Sequence, residues 1–226
     1  ADGTQEGIAD ALRRALAAKD GPAGEVQRLQ RLTGGATKKT WSFDWVSCAR
    51  REALILQQTP APATDQSASR APKLTAEQDA RLMIAAREGG IPAPVVRLIL
   101  QPQDGLGEGY VTGCVEGETL GRRVVHEAAF AGARQMMARQ CGAILAAIHR
   151  LPRADLSFLK TLSPAEELSV YGGLLQPFGL SHPALAYALR WVEENLPDDW
   201  QTSVVHADFR TGNLIVTPTG VSCVLD

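Results

Sequence analysis

The chain opens on an apolar stripe at helical spacing, Ile8, Leu12 and Leu16, which Gly21-Pro22 ends; the pattern predicts a short amphipathic helix. The period then changes. Val26 to Leu32 and Trp41 to Val46 alternate as strands, and between them lies Thr33-Gly34-Gly35-Ala36-Thr37-Lys38-Lys39-Thr40, a small, basic, glycine-containing loop. Glu52 to Gln58 reads as a third strand. Residues 59–73 hold three prolines among small polar residues with no period, which predicts a surface loop. Thr75 is placed as the N-cap of a helix running to Glu88, where Gly89-Gly90 stops it. Val95 to Leu100 and Gly109 to Val115 give two more strands.

After Gly117 the helical period dominates. Met137, Cys141, Ile144, Leu145 and Ile148 mark one helix, and Leu185, Leu189, Val192 and Leu196 mark another, with Pro183 near its first turn. Leu214 to Val216, the turn Thr217-Pro218-Thr219-Gly220, and Val221 to Leu225 predict a hairpin. The expected class is therefore α+β in two lobes with a cleft between them. Residues 1–113 supply an antiparallel sheet plus a helix, and residues 114–226 supply a hinge and a mostly helical lobe.

Composition narrows the function classes. In 226 residues, 23 Lys and Arg face 25 Asp and Glu, so no overall basic field exists to hold a nucleic acid or an anionic membrane. No apolar run approaches the roughly 18 residues that span a bilayer, and the first residues carry neither a basic nor an apolar leader pattern. A soluble cytoplasmic protein is expected, with neither nucleic acid nor membrane as partner. Cys48, Cys114, Cys141 and Cys223 form no C-x-x-C pair, so they are expected to be reduced, partly buried thiols rather than a zinc site or a disulfide framework.

The chemistry concentrates in Val204 to Asp226. Asp208 and Asn213 stand five apart on a strand-terminal loop, and a hairpin that folds back on itself returns Asp226 toward Asn213. A carboxylate and an amide facing one point make a hard-oxygen site suited to Mg²⁺. Asp208 would stand beside it to accept a hydroxyl proton. Phosphoryl transfer needs these parts: a metal to neutralise phosphate charge and a positioned base for the acceptor.

The segment H-x-D-x-x-x-x-N followed by a hairpin ending in Asp resembles the catalytic segment of the aminoglycoside phosphotransferase family, which has a protein-kinase-like fold. The resemblance extends through Gly34 to Asp44, Gly90 to Val96, Gly109 to Val125, Cys141 to His149 and Ser163 to Leu175. It implies Asp208 as catalytic base, Arg210 as the cation on the transferring phosphoryl group, and Asn213 and Asp226 as Mg²⁺ ligands. It also implies that Gly34, Gly35, Ala36, Thr37 and Lys38 cover the nucleotide phosphates. The backbone of a hinge that includes Gly113, Cys114 and Val115 would meet the base, leaving ATP and GTP both open as donor. His206 would orient the loop. The implied acceptor is a hydroxyl of a small metabolite or aminoglycoside-like molecule.

Three departures stand out. The family's third strand usually carries a Lys or Arg that reaches the α- and β-phosphates and pairs with a helix acid; here Gln57 stands in its place. Lys38 or Lys39 is expected to substitute, with Asp79 as the helix acid ahead of Glu77. Ala207 follows His206 where glycine is commoner. Members of the family continue past the metal-binding Asp with further helices, so the resemblance implies a helical lobe cut short after Asp226. Gln57 keeps open an alternative, a nucleotide-binding module without chemistry. A transition-metal hydrolase built on His206, Asp208 and Asp226 ranks below both, since one His and no Cys cluster is a thin ligand set. The remaining groups have plainer roles. His126, His149 and His182 are expected at the surface or at helix ends. The pairs Arg13-Arg14, Arg50-Arg51 and Arg122-Arg123 are expected as solvated charge, and the four tryptophans as packing residues.

Overall fold

The computed structural model describes residues 4–21, 24–32, 38–48, 50–59, 74–175 and 182–225. Helix α1, Gln5–Asp20, starts where the Thr4 side chain accepts the Gly7 N–H at 3.2 Å, and it ends at Gly21, whose φ of +98° a side chain would strain. Five strands follow: β1 Gly24–Leu32, β2 Lys39–Ser47, β3 Arg51–Gln58, β4 Val96–Ile99 and β5 Gly109–Gly113. They pair antiparallel throughout in the order β1-β2-β3-β5-β4. Helix α2, Ala76–Glu88, enters between β3 and β4 in sequence; Thr75 is its N-cap, as the sequence predicts, and the structure adds a reciprocal box with Gln78.

Side chains alternate across each strand, so the sheet has two different faces. Phe43, Trp45, Leu54, Leu56 and Val111 point to one face, where Ile8, Ala11, Leu12 and Leu16 of α1 close a core. The other face takes Tyr110, packed with Ala76 and Ala80 of α2 and flanked by Met83, Val96 and Ile99. The apolar face is thus filled by α1. The face that carries Gln57 remains partly polar, with α2 over Tyr110. Strand β5 stops at Gly113, two residues before the sequence predicts, although the Gly113 N–H still donates to the Val95 carbonyl (2.8 Å) and the Cys114 N–H to that of Ala53 (2.9 Å), in register with β4 and β3.

The second half contains α3 Gly121–His126, α4 Ala131–His149, α5 Pro164–Leu175, α6 Pro183–Glu194, and the hairpin β6 Leu214–Thr217 with β7 Gly220–Val224. Helix α3 lies in a stretch where the apolar spacing predicts no element. The described residues divide into two compact units: those before residue 60, Leu74–Leu151 and from Val205 onward form one, and those within Pro152–Val204 form the other. Within the first unit the hairpin is pinned three ways. The Val221 N–H donates to Gln140 Oε1 of α4 (3.0 Å), the Val224 N–H to the Pro92 carbonyl (2.7 Å), and Val216 exchanges two 2.9 Å backbone hydrogen bonds with Glu118. Among the described residues no helix is long and apolar enough to cross a membrane.

Four details correct the sequence reading. Trp45 and Trp41 pack as expected, but Trp191 and Trp200 are exposed, and α6 buries none of its described residues despite its apolar stripe. Cys48 and Cys114 are exposed; Cys223 is buried, which pushes its thiol up to about 11. Arg50 and Arg51 are ion-paired with Glu52 and Asp44, so they are not simply solvated. Arg123 likewise bridges Glu118 and Glu127. Asp44 reaches Arg51 from the neighbouring strand β2, a pairing that a local charge pattern does not display, whereas Glu52 and Glu127 lie two and four residues from their arginines.

Candidate active site

The loop between Val205 and Asn213 is shaped by backbone hydrogen bonds before any side chain acts. The Asp208 N–H donates to the His206 carbonyl at 2.9 Å, closing a three-residue turn around Ala207, whose φ is +65°. His206 lies edge-on to Phe209, ring centroids 5.4 Å apart, and its Nε2 sits 3.2 Å from the Leu225 carbonyl. A carbonyl only accepts, so Nε2 carries the proton. His206 therefore ties the loop to the end of the hairpin, the orienting role that the resemblance implies.

Asp208 and Asn213 meet as the spacing predicts. Asn213 is buried, and its Nδ2 donates both to the Asp208 carbonyl and to Asp208 Oδ2, each at 2.9 Å. Its own N–H donates to the Arg210 carbonyl (2.9 Å), and its carbonyl accepts from the Leu225 N–H at 2.8 Å. Arg210 places its Nε 3.0 and 3.2 Å from the two oxygens of Asp208. Gly212 permits this, since a Cβ there would lie 2.2 Å from Arg210 Nη1. The Arg210 hydrogen bond is the largest cause holding the exposed Asp208 carboxyl below the usual carboxylate range, with the Asn213 amide adding to it against a desolvation cost. At neutral pH Asp208 is thus an ionised acceptor.

The donor set at Asn213 suits a hard cation. Both described hydrogen bonds of its amide use Nδ2, which leaves Oδ1 as the end able to ligate. Asp226, the second expected ligand, lies outside the described residues, as do Gly34, Gly35, Ala36 and Thr37 of the glycine loop. Its neighbour Leu225 is the residue hydrogen-bonded to Asn213. Among the described residues no group of three His, Cys, Asp or Glu side chains could hold a metal ion.

On the polar face of the sheet a cation stands near Gln57. Lys38, just before β2, places Nζ 2.9 Å from Oδ2 of Asp79 in the first turn of α2, with both side chains largely covered. Its ammonium also stands 3.3 Å from the Tyr110 hydroxyl and over the Tyr110 ring, 5.7 Å from the centroid. The Tyr110 hydroxyl in turn donates to Gln57 Oε1. Three residues of the expected site, Lys38, Asp79 and Gln57, are therefore brought together. Tyr110, which sequence reasoning missed, links them. No local sequence signal marks it: Gln57 and Tyr110 become direct partners, on one face, only through the β3–β5 register.

The expected hinge residues begin at the last residue of β5. The Gly113 and Cys114 N–H groups are taken up by Val95 and Ala53. No described residue accepts from the Val115 N–H. Partial desolvation of its sulfur, then the charges of Glu116 and Asp44, push the thiol of the exposed Cys114 up. Gly117, with φ +147°, then turns the chain onto the hairpin, where a Cβ would lie 2.4 Å from Ile215 Cγ2. This is a position only glycine fits.

Comparison with known proteins agrees with this architecture. The model of the phosphotransferase enzyme family matches residues 28–226. No curated protein matches the chain. Among solved structures, the GDP and kanamycin complex of APH(2")-IIia superposes with a TM-score of 0.63 at 10% identity, over 95% of this chain and 71% of that one. Spectinomycin phosphotransferase APH(9)-Ia, in complex with ADP and spectinomycin, gives a TM-score of 0.58 at 13% identity, over 96% of this chain and 68% of that one. At such identities the likeness shows the fold: an α+β, kinase-like arrangement with an N-terminal antiparallel sheet followed by a helical part.

Proposed function

We propose, for a chain that belongs to the phosphotransferase enzyme family, that it moves the γ-phosphoryl group of ATP or GTP to a hydroxyl of a small acceptor molecule. The observation that carries this reading is the Asp208–Asn213 pair, fixed by two 2.9 Å hydrogen bonds on a loop tied to the hairpin at Leu225. The acceptor hydroxyl oxygen bonds to the γ-phosphorus while the bond to the β–γ bridging oxygen breaks, and the nucleoside diphosphate leaves. The acceptor proton passes to the Asp208 carboxylate, which Arg210 and Asn213 hold ionised and oriented. Arg210, two residues on, is the cation available to the transferring group once the acceptor engages Asp208. Lys38, braced by Asp79, is the cation facing the nucleotide phosphates.

Asn213, through Oδ1, and Asp226 would hold Mg²⁺. When bound, that ion neutralises charge on the phosphate oxygens. The nucleotides and antibiotics bound by APH(2")-IIia and APH(9)-Ia support nucleoside triphosphate and a small hydroxylated molecule as the two partners of this chain. The Lys38–Asp79 pair supports catalysis over a nucleotide-holding module, since it supplies the cation whose lack at Gln57 motivated that alternative.

The test is phosphotransfer from ATP and from GTP, with Mg²⁺, to a panel of hydroxylated acceptors that includes kanamycin and spectinomycin. Asp208→Asn is expected to abolish turnover and leave nucleotide binding in place. Full turnover by that variant would remove Asp208 as the base.

A further inference from the structure

Gln57 sits where a cation is expected, and the network around it shows what it does there. Lys38, just before β2, meets Asp79, Tyr110 and Gln57 from three different elements, and Tyr110 at the centre is only 3% exposed, wedged between the sheet and α2. The direction of each hydrogen bond is fixed by chemistry. An ammonium only donates, so the Tyr110 oxygen accepts from Lys38. The phenol has one proton, which goes to Gln57 Oε1, and an amide oxygen only accepts. The chain of bonds runs Lys38 to Tyr110 to Gln57, with Asp79 neutralising Lys38 from the other side.

A lysine or arginine at position 57 cannot end that chain. It would offer donors where Tyr110 needs an acceptor, and it would set a second cation beside Lys38 with Asp79 to share. We infer that Gln57 is a positioning residue: through Tyr110 it holds the Lys38 ammonium toward the nucleotide phosphates. The charge comes from the residue just before β2, and β3 supplies the acceptor that orients it. Gln57 is therefore part of a working arrangement and not a lost lysine. The inference rests on the reading that Lys38 faces the phosphates.

The test uses the full 226-residue chain, titrated with Mg²⁺-ATP and Mg²⁺-GTP by calorimetry, beside thermal unfolding without nucleotide. Gln57→Lys is expected to weaken binding about tenfold, and Tyr110→Phe to weaken it in the same direction. Lys38→Met should weaken it further. In the Lys38→Met background Gln57→Lys should recover part of the loss, because the lysine on β3 then has Asp79 to itself; a merely structural role for Gln57 gives no such reversal. Without nucleotide, Gln57→Leu and Lys38→Met should lower the melting temperature less together than the sum of their separate effects. Gln57→Lys binding as tightly as wild type, or tighter, would overturn the positioning role, as would strictly additive melting effects. Wild-type protein that binds neither nucleotide would overturn the phosphate role of Lys38 itself, and melting coupling would then show a network with a purely structural purpose.

Discussion

Replacing Ala207 by glycine is expected to stabilise this protein, against the usual sign of that substitution. Ala207 has φ +65° at the centre of the turn closed by the Asp208 N–H and the His206 carbonyl. The left-handed region costs an L-residue roughly 1–2 kcal/mol through contact of Cβ with the following carbonyl. Glycine removes that cost but adds about 0.4–1 kcal/mol of unfolded-state entropy to be lost on folding. The difference favours Ala207→Gly by about 0.5–1 kcal/mol. For a chain of this size that amounts to a rise of about 1–4 °C in melting temperature. The control is Ala138→Gly, at an exposed interior position of α4, where glycine costs about 1 kcal/mol in helix propensity. One chemical change at two sites should thus move the melting temperature in opposite directions, measured by circular dichroism at one protein concentration. If Ala207→Gly melts lower, as Ala138→Gly should, the turn is not strained and the reasoning fails.

Three other outcomes follow from the same geometry. Leu12→Ala opens a cavity in the fully buried contact between α1 and the sheet; a loss of about 2–5 kcal/mol is expected, read as a lower midpoint in urea with an unchanged slope. Asp208 has a folded pKa held below its unfolded value, so its ionised form is lost only as pH falls through that lowered value, and Arg210→Met should shift the acidic limb of the pH–rate profile upward. An unmoved limb would separate Arg210 from the base. Asp44 is almost fully buried between Arg28 and Arg51, and the Arg28 hydrogen bond holds its pKa low. Its contribution to stability is present above the ordinary carboxylate pKa and lost below the lowered one, so Asp44→Asn should lower the melting temperature more at pH 7 than at pH 3.

The sequence by itself determined the order of the strands and of α1, α2, α4 and α6, because period and punctuation are local. Apolar residues at 8, 12 and 16, alternation through β2 and β3, the Thr75 cap and the Thr217–Gly220 turn each act within a few residues, and each appears in the structure where the pattern places it. It also determined the pairing of Asp208 with Asn213, since five residues on one loop leave little freedom in where the two side chains meet. What only the tertiary structure decided was which distant groups share a point. The Lys38–Asp79 ion pair spans 41 positions of sequence and the Tyr110–Gln57 hydrogen bond spans 53. Sheet register and the packing of α2 on Tyr110 bring these groups together, and neither leaves a mark in local composition. The left-handed turn at Ala207 was hidden for a related reason. Alanine prefers other conformations, and the turn persists because His206, Asp208 and Asn213 are each anchored by hydrogen bonds, two of them to Leu225 of the returning hairpin, which together outweigh that local preference.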